Sequence, residues 1–199
     1  MDKVPALCRR VRFVLVEPSH PGNIGSAARA IKTMGFTDLR VVSPRVRDYK
    51  SDPEAVALAT SSVDVLQSAL THDTLLDALA GVAQAYALSG YSREFGPPIE
   101  ELRVSVAKAA AWLELPRERT GGDIAFVFGT ERSGLTNEQM NLCQPCSAIP
   151  ANPLSPSLNL SQAVQITAYE MQLALLGDKD EELYKLRSEE RFSRNAETD

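Results

Sequence analysis

Histidine and cysteine are scarce in this 199-residue chain, at two and three residues. That scarcity removes several classes of chemistry. His20 and His72 are too few to complete a zinc set with Cys143 and Cys146, whose CxxC spacing ends a predicted helix where a redox motif would begin one. Three cysteines, counting Cys8, are an odd number and too few for a disulfide framework, which suggests a reduced, cytoplasmic setting. No apolar run approaches the ~20 residues that cross a bilayer. The start of the chain, with Asp2, Lys3 and Pro5, has no signal-peptide core. Neither the Gly-x-Gly-x-x-Gly fingerprint of dinucleotide binding nor the Gly-Lys-Ser/Thr of a phosphate loop is present. No Ser/His/Asp spacing stands out, nothing repeats, and no metal is expected.

What is present suits one α/β domain with a substantial core: 44% of residues are hydrophobic and 24% charged. The net charge of −5 looks wrong for a nucleic-acid binder, but it is unevenly spread. Residues 1–50 carry ten Lys/Arg against four Asp/Glu, a local +6, while the remainder carries 11 against 22. A basic N-terminal quarter on an acidic body could offer phosphates a binding face. On this reading Arg9, Arg10 and Arg12 grip RNA more than Lys185, Arg187 and Arg191 do. Chance clustering of solvated side chains explains the charge equally well.

Hydrophobic patterning predicts strands at Val11–Glu17, Leu39–Val42, Ala83–Ser89, Ile124–Phe128 and Ser147–Ile149. Helices are predicted at Asn23–Met34, with Asn23 as N-cap and Gly35 closing it, and at Pro53–Thr60, Thr74–Ala80 and Ile99–Leu115. Two more follow at Thr136–Cys143, where Thr136 and Gln139 form a capping-box pattern, and at Ser161–Leu176. This alternation predicts an α/β fold, a mostly parallel sheet with helices on both faces. Residues 1–177 form the expected domain, and the highly charged 178–199 a tail or the start of an extension.

Three loops follow predicted strands, where a parallel sheet builds its ligand crevice. In the first, Asn23 to Arg29, Gly25 lets another backbone or a ligand come close. Arg29 falls two turns along on the face of Gly22 and Ser26, and its planar fork suits a phosphate or carboxylate. His20, just before this loop, reads as a turn residue more than as a general base. The second, Phe128-Gly129-Thr130-Glu131-Arg132-Ser133-Gly134-Leu135, sets two glycines around a Glu-Arg pair. The third runs from Ile149-Pro150 to Ser157-Leu158-Asn159-Leu160-Ser161, and its prolines forbid regular structure. Each loop alone could be a surface turn or a helix cap.

Together, in this order and spacing, Asn23-x-Gly25-x-x-x-Arg29, Phe128-Gly129-x-Glu131-x-x-Gly134-Leu135 and Ile149-Pro150 through Ser161 resemble the three signature motifs of the SpoU/TrmH branch of the SPOUT superfamily of RNA methyltransferases. The resemblance covers about residues 11–176. Within the branch, Val14 to Arg29 and Ala151-Asn152-Pro153 are most similar to the enzymes that methylate the ribose at position 32 of the tRNA anticodon loop, on cytidine or uridine. It implies a deep trefoil knot near the C-terminus, a homodimer, and S-adenosylmethionine as methyl donor. It places Leu88, Ser89, Gly90, Gly129, Ile149, Ser157, Leu158 and Asn159 against the donor, and Asn23, Arg29 and Glu131 at the reacting ribose. Relatives of this type often carry a longer C-terminal extension, whereas this chain stops soon after its acidic tail. An rRNA methyltransferase and a non-catalytic RNA-binding protein of the same fold are the other readings.

Overall fold

The computed structural model describes residues 3–90 and 98–177. The tail from Asp178 and the expected boundary after residue 177 lie outside the described residues. Seven parallel strands form one sheet: β1 (Val11–Val16), β2 (Asp38–Val42), β3 (Leu70–His72), β4 (Val82–Leu88), β5 (Ile99–Glu101), β6 (Asp123–Phe128) and β7 (Cys146–Ala148). Their order across the sheet is β3-β2-β1-β6-β4-β7-β5. Between them lie the helices α1 (Lys3–Cys8), α2 (Pro21–Thr33), α3 (Pro53–Ala59), α4 (Val63–Ser68), α5 (Leu75–Ala78), α6 (Leu102–Glu114), α7 (Arg117–Thr120), α8 (Asn137–Asn141) and α9 (Leu160–Leu176). No helix among the described residues is long and apolar enough to cross a membrane.

The central strands are buried on both faces, so they read as continuous apolar runs. Alternation along each strand divides the core in two. Phe13 and Leu15 of β1 with Phe126 and Phe128 of β6 pack under α2, α6 and α9. Val14 and Val16 with Ala125 and Val127 pack against Leu75 and Ala78 of α5 and Met140 of α8. The helix-bearing loops thus cover both faces, as the alternation of elements predicts. The closest helix contact turns on Gly25. A Cβ there would sit 2.0 Å from the carbonyl oxygen of Ala55, so bare backbone is what lets α2 lie against α3. The close approach that Gly25 permits is therefore to a helix, not to a ligand.

Several expectations need correction. α2 starts at Pro21, not Asn23: the fixed φ of proline suits the first helical position, so the helix begins two residues earlier, after His20, and Asn23 makes no cap. The stretch from Ile99 is not all helix, because Ile99–Glu101 pairs with β7 before α6 begins. Arg10 and Arg12 are not RNA-facing. The Arg12 guanidinium donates to the carbonyls of Ala78 (2.6 Å) and Ala80 (3.0 Å) and to Asp38 (3.0 Å). Arg10 donates to the carbonyls of Leu113 and Gly122, to Thr120 and to Asp123. Both side chains are only 10–12% exposed. They tie the N-terminal ends of the strands together and have no fork left for phosphate.

Candidate active site

The C-terminal ends of β1, β4, β6 and β7 bring the three loops to one place. β4 and β7 are joined there by the Ser89 N–H, which donates to the Ser147 carbonyl at 2.9 Å. After β6 the chain makes a tight turn: Thr130 and Gly134 exchange backbone hydrogen bonds, and Gly134 takes φ +67°. Glu131 and Arg132 stand at the tip of this turn.

A cavity opens between these loops. Leu88, Ser89 and Gly90 form one side, Gly129 to Gly134 another, and Ile149 with Pro156, Ser157 and Leu158 the third. Seven of the eight residues expected against the donor line it. Asn159 does not. Its side chain instead caps α9, accepting from the N–H groups of Ser161 (2.9 Å) and Gln162 (3.4 Å). The walls are mixed, with Leu88, Ile149, Leu158, Leu160 and Ala163 against the polar backbone of the 129–134 turn. Such a lining fits a flat, partly apolar ligand held mostly by main-chain groups. Gly129 has a different reason to be glycine than an open cavity. A Cβ there would lie 2.1 Å from the Gly134 carbonyl carbon and 2.2 Å from the Leu135 nitrogen. A larger residue would break the turn before it reached any ligand.

Beside the cavity one chain of side-chain hydrogen bonds crosses all three loops. Asn23 donates from Nδ2 to Glu131 Oε1 at 2.9 Å, and its Oδ1 accepts from Asn159 Nδ2 at 3.0 Å. Glu131 also accepts from the Ser19 N–H (3.0 Å), the Ser19 hydroxyl (2.8 Å) and the His20 N–H (3.2 Å). Burial is the largest single influence on the Glu131 carboxyl and pushes its pKa up. The hydrogen bonds from Asn23 and Ser19 outweigh it and leave the group below the ordinary glutamate value. Ionised and saturated with donors, this carboxylate holds the start of α2 in place and is a poor proton acceptor.

Arg29 is not brought to the cavity. It lies exposed on α2, and its side chain has no partner among the described residues. Ser19 and Arg132, by contrast, belong to the site, though neither was among the residues expected to act there. Ser19 lies in the turn cluster that ends β1, with nothing to mark its hydroxyl as a carboxylate ligand. Arg132 lines the cavity from within a motif position that the pattern leaves variable. Cys143 and Cys146 are buried, and burial pushes the Cys143 thiol up to about 12. No group of three or more metal-ligating side chains gathers among the described residues.

Residues 10–169 match the model of the SpoU rRNA Methylase family. The chain is 45% identical over 170 residues to the tRNA (cytidine/uridine-2'-O-)-methyltransferase TrmJ of Yersinia enterocolitica, covering 85% of this chain and 63% of that protein. The protein of the same name from Cronobacter sakazakii is 44% identical over 174 residues, covering 87% of this chain and 67% of that protein. The chain thus spans about two thirds, or slightly less, of these relatives. Among solved structures, a probable methyltransferase from Bordetella pertussis Tohama I superposes with a TM-score of 0.80 at 50% identity, covering 86% of this chain and 99% of that one. TrmJ from Z. mobilis ZM4 superposes with a TM-score of 0.71 at 34% identity, covering 81% and 67%. With a family match that runs from the strand before the first loop to the helix after the third, this chain belongs to the SpoU methylase family.

Proposed function

We propose that this protein is an S-adenosylmethionine-dependent tRNA 2'-O-ribose methyltransferase acting on cytidine or uridine at position 32 of the anticodon loop. The observation that carries the reading is the Glu131–Asn23–Asn159 chain of hydrogen bonds, which joins all three motif loops at the rim of the one cavity that seven expected donor residues line. The names of the TrmJ relatives supply the substrate and the ribose specificity. The cavity's apolar walls and main-chain polar groups fit the donor, whose sulfonium supplies an activated methyl group when bound.

The residues then divide the work. Glu131 and Asn23 fix the start of α2, and Asn159 fixes the start of α9, so that a ribose hydroxyl and the cavity keep one geometry; such positioning is worth on the order of 7–11 kcal/mol in favourable reactions. Asn23, Arg29 and Glu131 remain the residues we assign to the ribose side, with Glu131 acting through the loop it holds. A guanidinium is a poor base, so Arg29 serves as a cation for the target phosphate and the developing alkoxide. Its exposed place on α2, away from the cavity of its own chain, suits a homodimer in which the substrate site is completed between protomers. We also infer the trefoil knot. It is supported by β6 lying between β1 and β4, by β7 lying between β4 and β5, and by Pro156 lying against Gly90, where a Cβ would stand 3.5 Å from the Pro156 carbonyl oxygen. Residues 1–177 would be the catalytic domain, and tRNA modification a cytoplasmic task.

The family's own description names rRNA, which keeps an rRNA substrate as the second reading. Incubating the full chain with methyl donor and unmodified tRNA or rRNA, then identifying 2'-O-methylated nucleotides by mass spectrometry of the digest, decides between them. Methylation at position 32 of tRNA is the expected result. Methylation of rRNA alone overturns the substrate, and failure to bind donor by calorimetry overturns the activity.

A further inference from the structure

We propose that the loop after β2 is a preformed clamp for the phosphate backbone of the RNA substrate, with Arg45 and Arg47 as its contacts; the inference rests on the proposed function for the identity of the RNA. Many of the cations among the described residues are already engaged. Lys32, Arg40, Arg103, Lys108 and Arg117, like Arg10 and Arg12, each pair with a carboxylate of this chain. Arg45 and Arg47 are exposed, and their side chains have no partner among the described residues. Arg29, assigned above to the ribose side, and Arg132, which lines the cavity, share that condition, as do Arg9 and Arg119, which precede β1 and β6 at the opposite ends of the strands from the cavity.

The loop that presents the two arginines is anchored at every turn. Ser43 leaves β2 at φ +43°, and its N–H donates to the His72 carbonyl at 2.8 Å. The Arg45 N–H donates to the Pro18 carbonyl at 3.1 Å. Pro18 directly precedes Ser19, whose N–H and hydroxyl hold Glu131. Tyr49 is fully buried, with its hydroxyl 2.9 Å from Thr71 Oγ1. Lys50 and Gln67 each donate to the other's carbonyl, at 2.9 and 2.6 Å. A positive φ at a non-glycine residue is unfavourable and persists where the surroundings enforce it. Here it turns the chain so that two guanidiniums face solvent beside the loop that carries Ser19. The loop holds two acids: Asp48, which is exposed, and Asp52, whose carboxylate is taken up in capping α3, accepting from the N–H groups of Glu54 and Ala55. Two unpaired planar forks on a rigid support, beside the loop that carries Ser19, suit phosphates of the RNA backbone near the target nucleotide.

The test is binding of an unmodified tRNA transcript by fluorescence anisotropy between 50 and 200 mM salt, so that methyl transfer is not needed for the readout. R45Q/R47Q is compared with R9Q/R119Q and with the wild type, and donor affinity and melting temperature are followed in parallel. Each phosphate contact contributes about 0.7–0.9 to the slope of log affinity against log salt. R45Q/R47Q is therefore expected to lower that slope by about 1.4–1.8 and to weaken binding on the order of tenfold at low salt, with donor affinity and melting unchanged. R9Q/R119Q is expected to bind as the wild type does. Unchanged affinity and slope in R45Q/R47Q, or equal losses in the two pairs, overturn the clamp while leaving the enzymatic reading intact. A wild type that binds tRNA through this loop yet transfers no methyl group overturns the enzymatic reading and leaves the clamp. A wild type that binds no tRNA overturns both.

Discussion

At the scale of single residues, Glu131 shows how a motif acid can matter without touching a proton in flight. Its carboxyl sits below the usual glutamate value, so its ionisation stabilises the folded chain. That contribution is complete above the unfolded value of about 4.3 and disappears as pH falls through the lower folded value. Glu131→Gln should lower stability at pH 7 by about 1 kcal/mol, from weakened charge-assisted hydrogen bonds. The gap to the wild type should close below about pH 4. Urea unfolding of both proteins at pH 7 and at pH 3 measures this; a gap that persists in acid means the carboxylate is not the anchor. Arg29 makes the opposite case. With no internal partner to lose, Arg29→Ala should change stability by no more than about 0.5 kcal/mol. Methyl transfer should nevertheless fall about a hundredfold or more, as expected when a cation facing developing charge is removed. Arg29→Lys should restore little, because an ammonium lacks the fork. Single-turnover assays with calorimetric donor binding check this, and near-normal turnover in the alanine variant removes Arg29 from the mechanism.

At the scale of elements, Asn159 performs two tasks that a pair of variants can separate. Asn159→Asp keeps the acceptor that caps α9 but loses the donor to Asn23. It should melt within about 0.5 kcal/mol of the wild type while transferring methyl groups more slowly. Asn159→Ala loses the cap as well and should cost about 1 kcal/mol. Wild-type turnover in the aspartate variant would show that the bridge to Asn23 is incidental. Gly25→Ala should cost about 1–3 kcal/mol by pushing α2 off α3, read as a lowered melting temperature. Elements with strong periodicity were legible beforehand: β1, β6 and α9 lie within a residue of their expected ends, and the Thr136–Gln139 capping box is present in both halves. What was not legible has physical causes. β3 is an edge strand whose Leu70 and Thr71 are exposed, so it lacks the alternation that marks a strand. β5 runs straight into α6, and its three residues were absorbed into the helical pattern. That the three loops meet was legible because loops after parallel strands converge, whereas the residues lining the cavity followed only from the resemblance of the motifs. The Asn23–Glu131–Asn159 bridge was not, since its members lie 108 and 136 residues apart and no periodicity relates them.

At the scale of the whole molecule, the charge asymmetry of the sequence proves misleading in detail. Its basic N-terminal quarter is partly spent inside: Arg12→Ala should destabilise by about 3 kcal/mol, because it strands two backbone carbonyls and Asp38 in a nearly buried site. Its effect on tRNA binding should be no more than the unfolding explains, which comparing binding below the melting transition will check. The assembled protein should be a homodimer, and light scattering that finds a monomer at micromolar concentration rejects this. The strand order also bears on how the protein comes to exist at all. β6 occupies the centre of the sheet between β1 and β4, yet it is the sixth strand in the chain. While a ribosome emits the polypeptide, β1 and β2 can pair, but the flank of β1 that will receive residues 124–128 stays bare until those residues have emerged. At synthesis rates of about 5–20 residues per second, that interval is roughly 6 to 20 seconds. Throughout it, Val11 to Val16, all buried in the finished protein, present an unpaired apolar edge to every other nascent chain nearby. The late arrival of its middle strand makes this a protein whose yield in the cell should depend on chaperones that shield it during synthesis more than on the stability it attains afterwards.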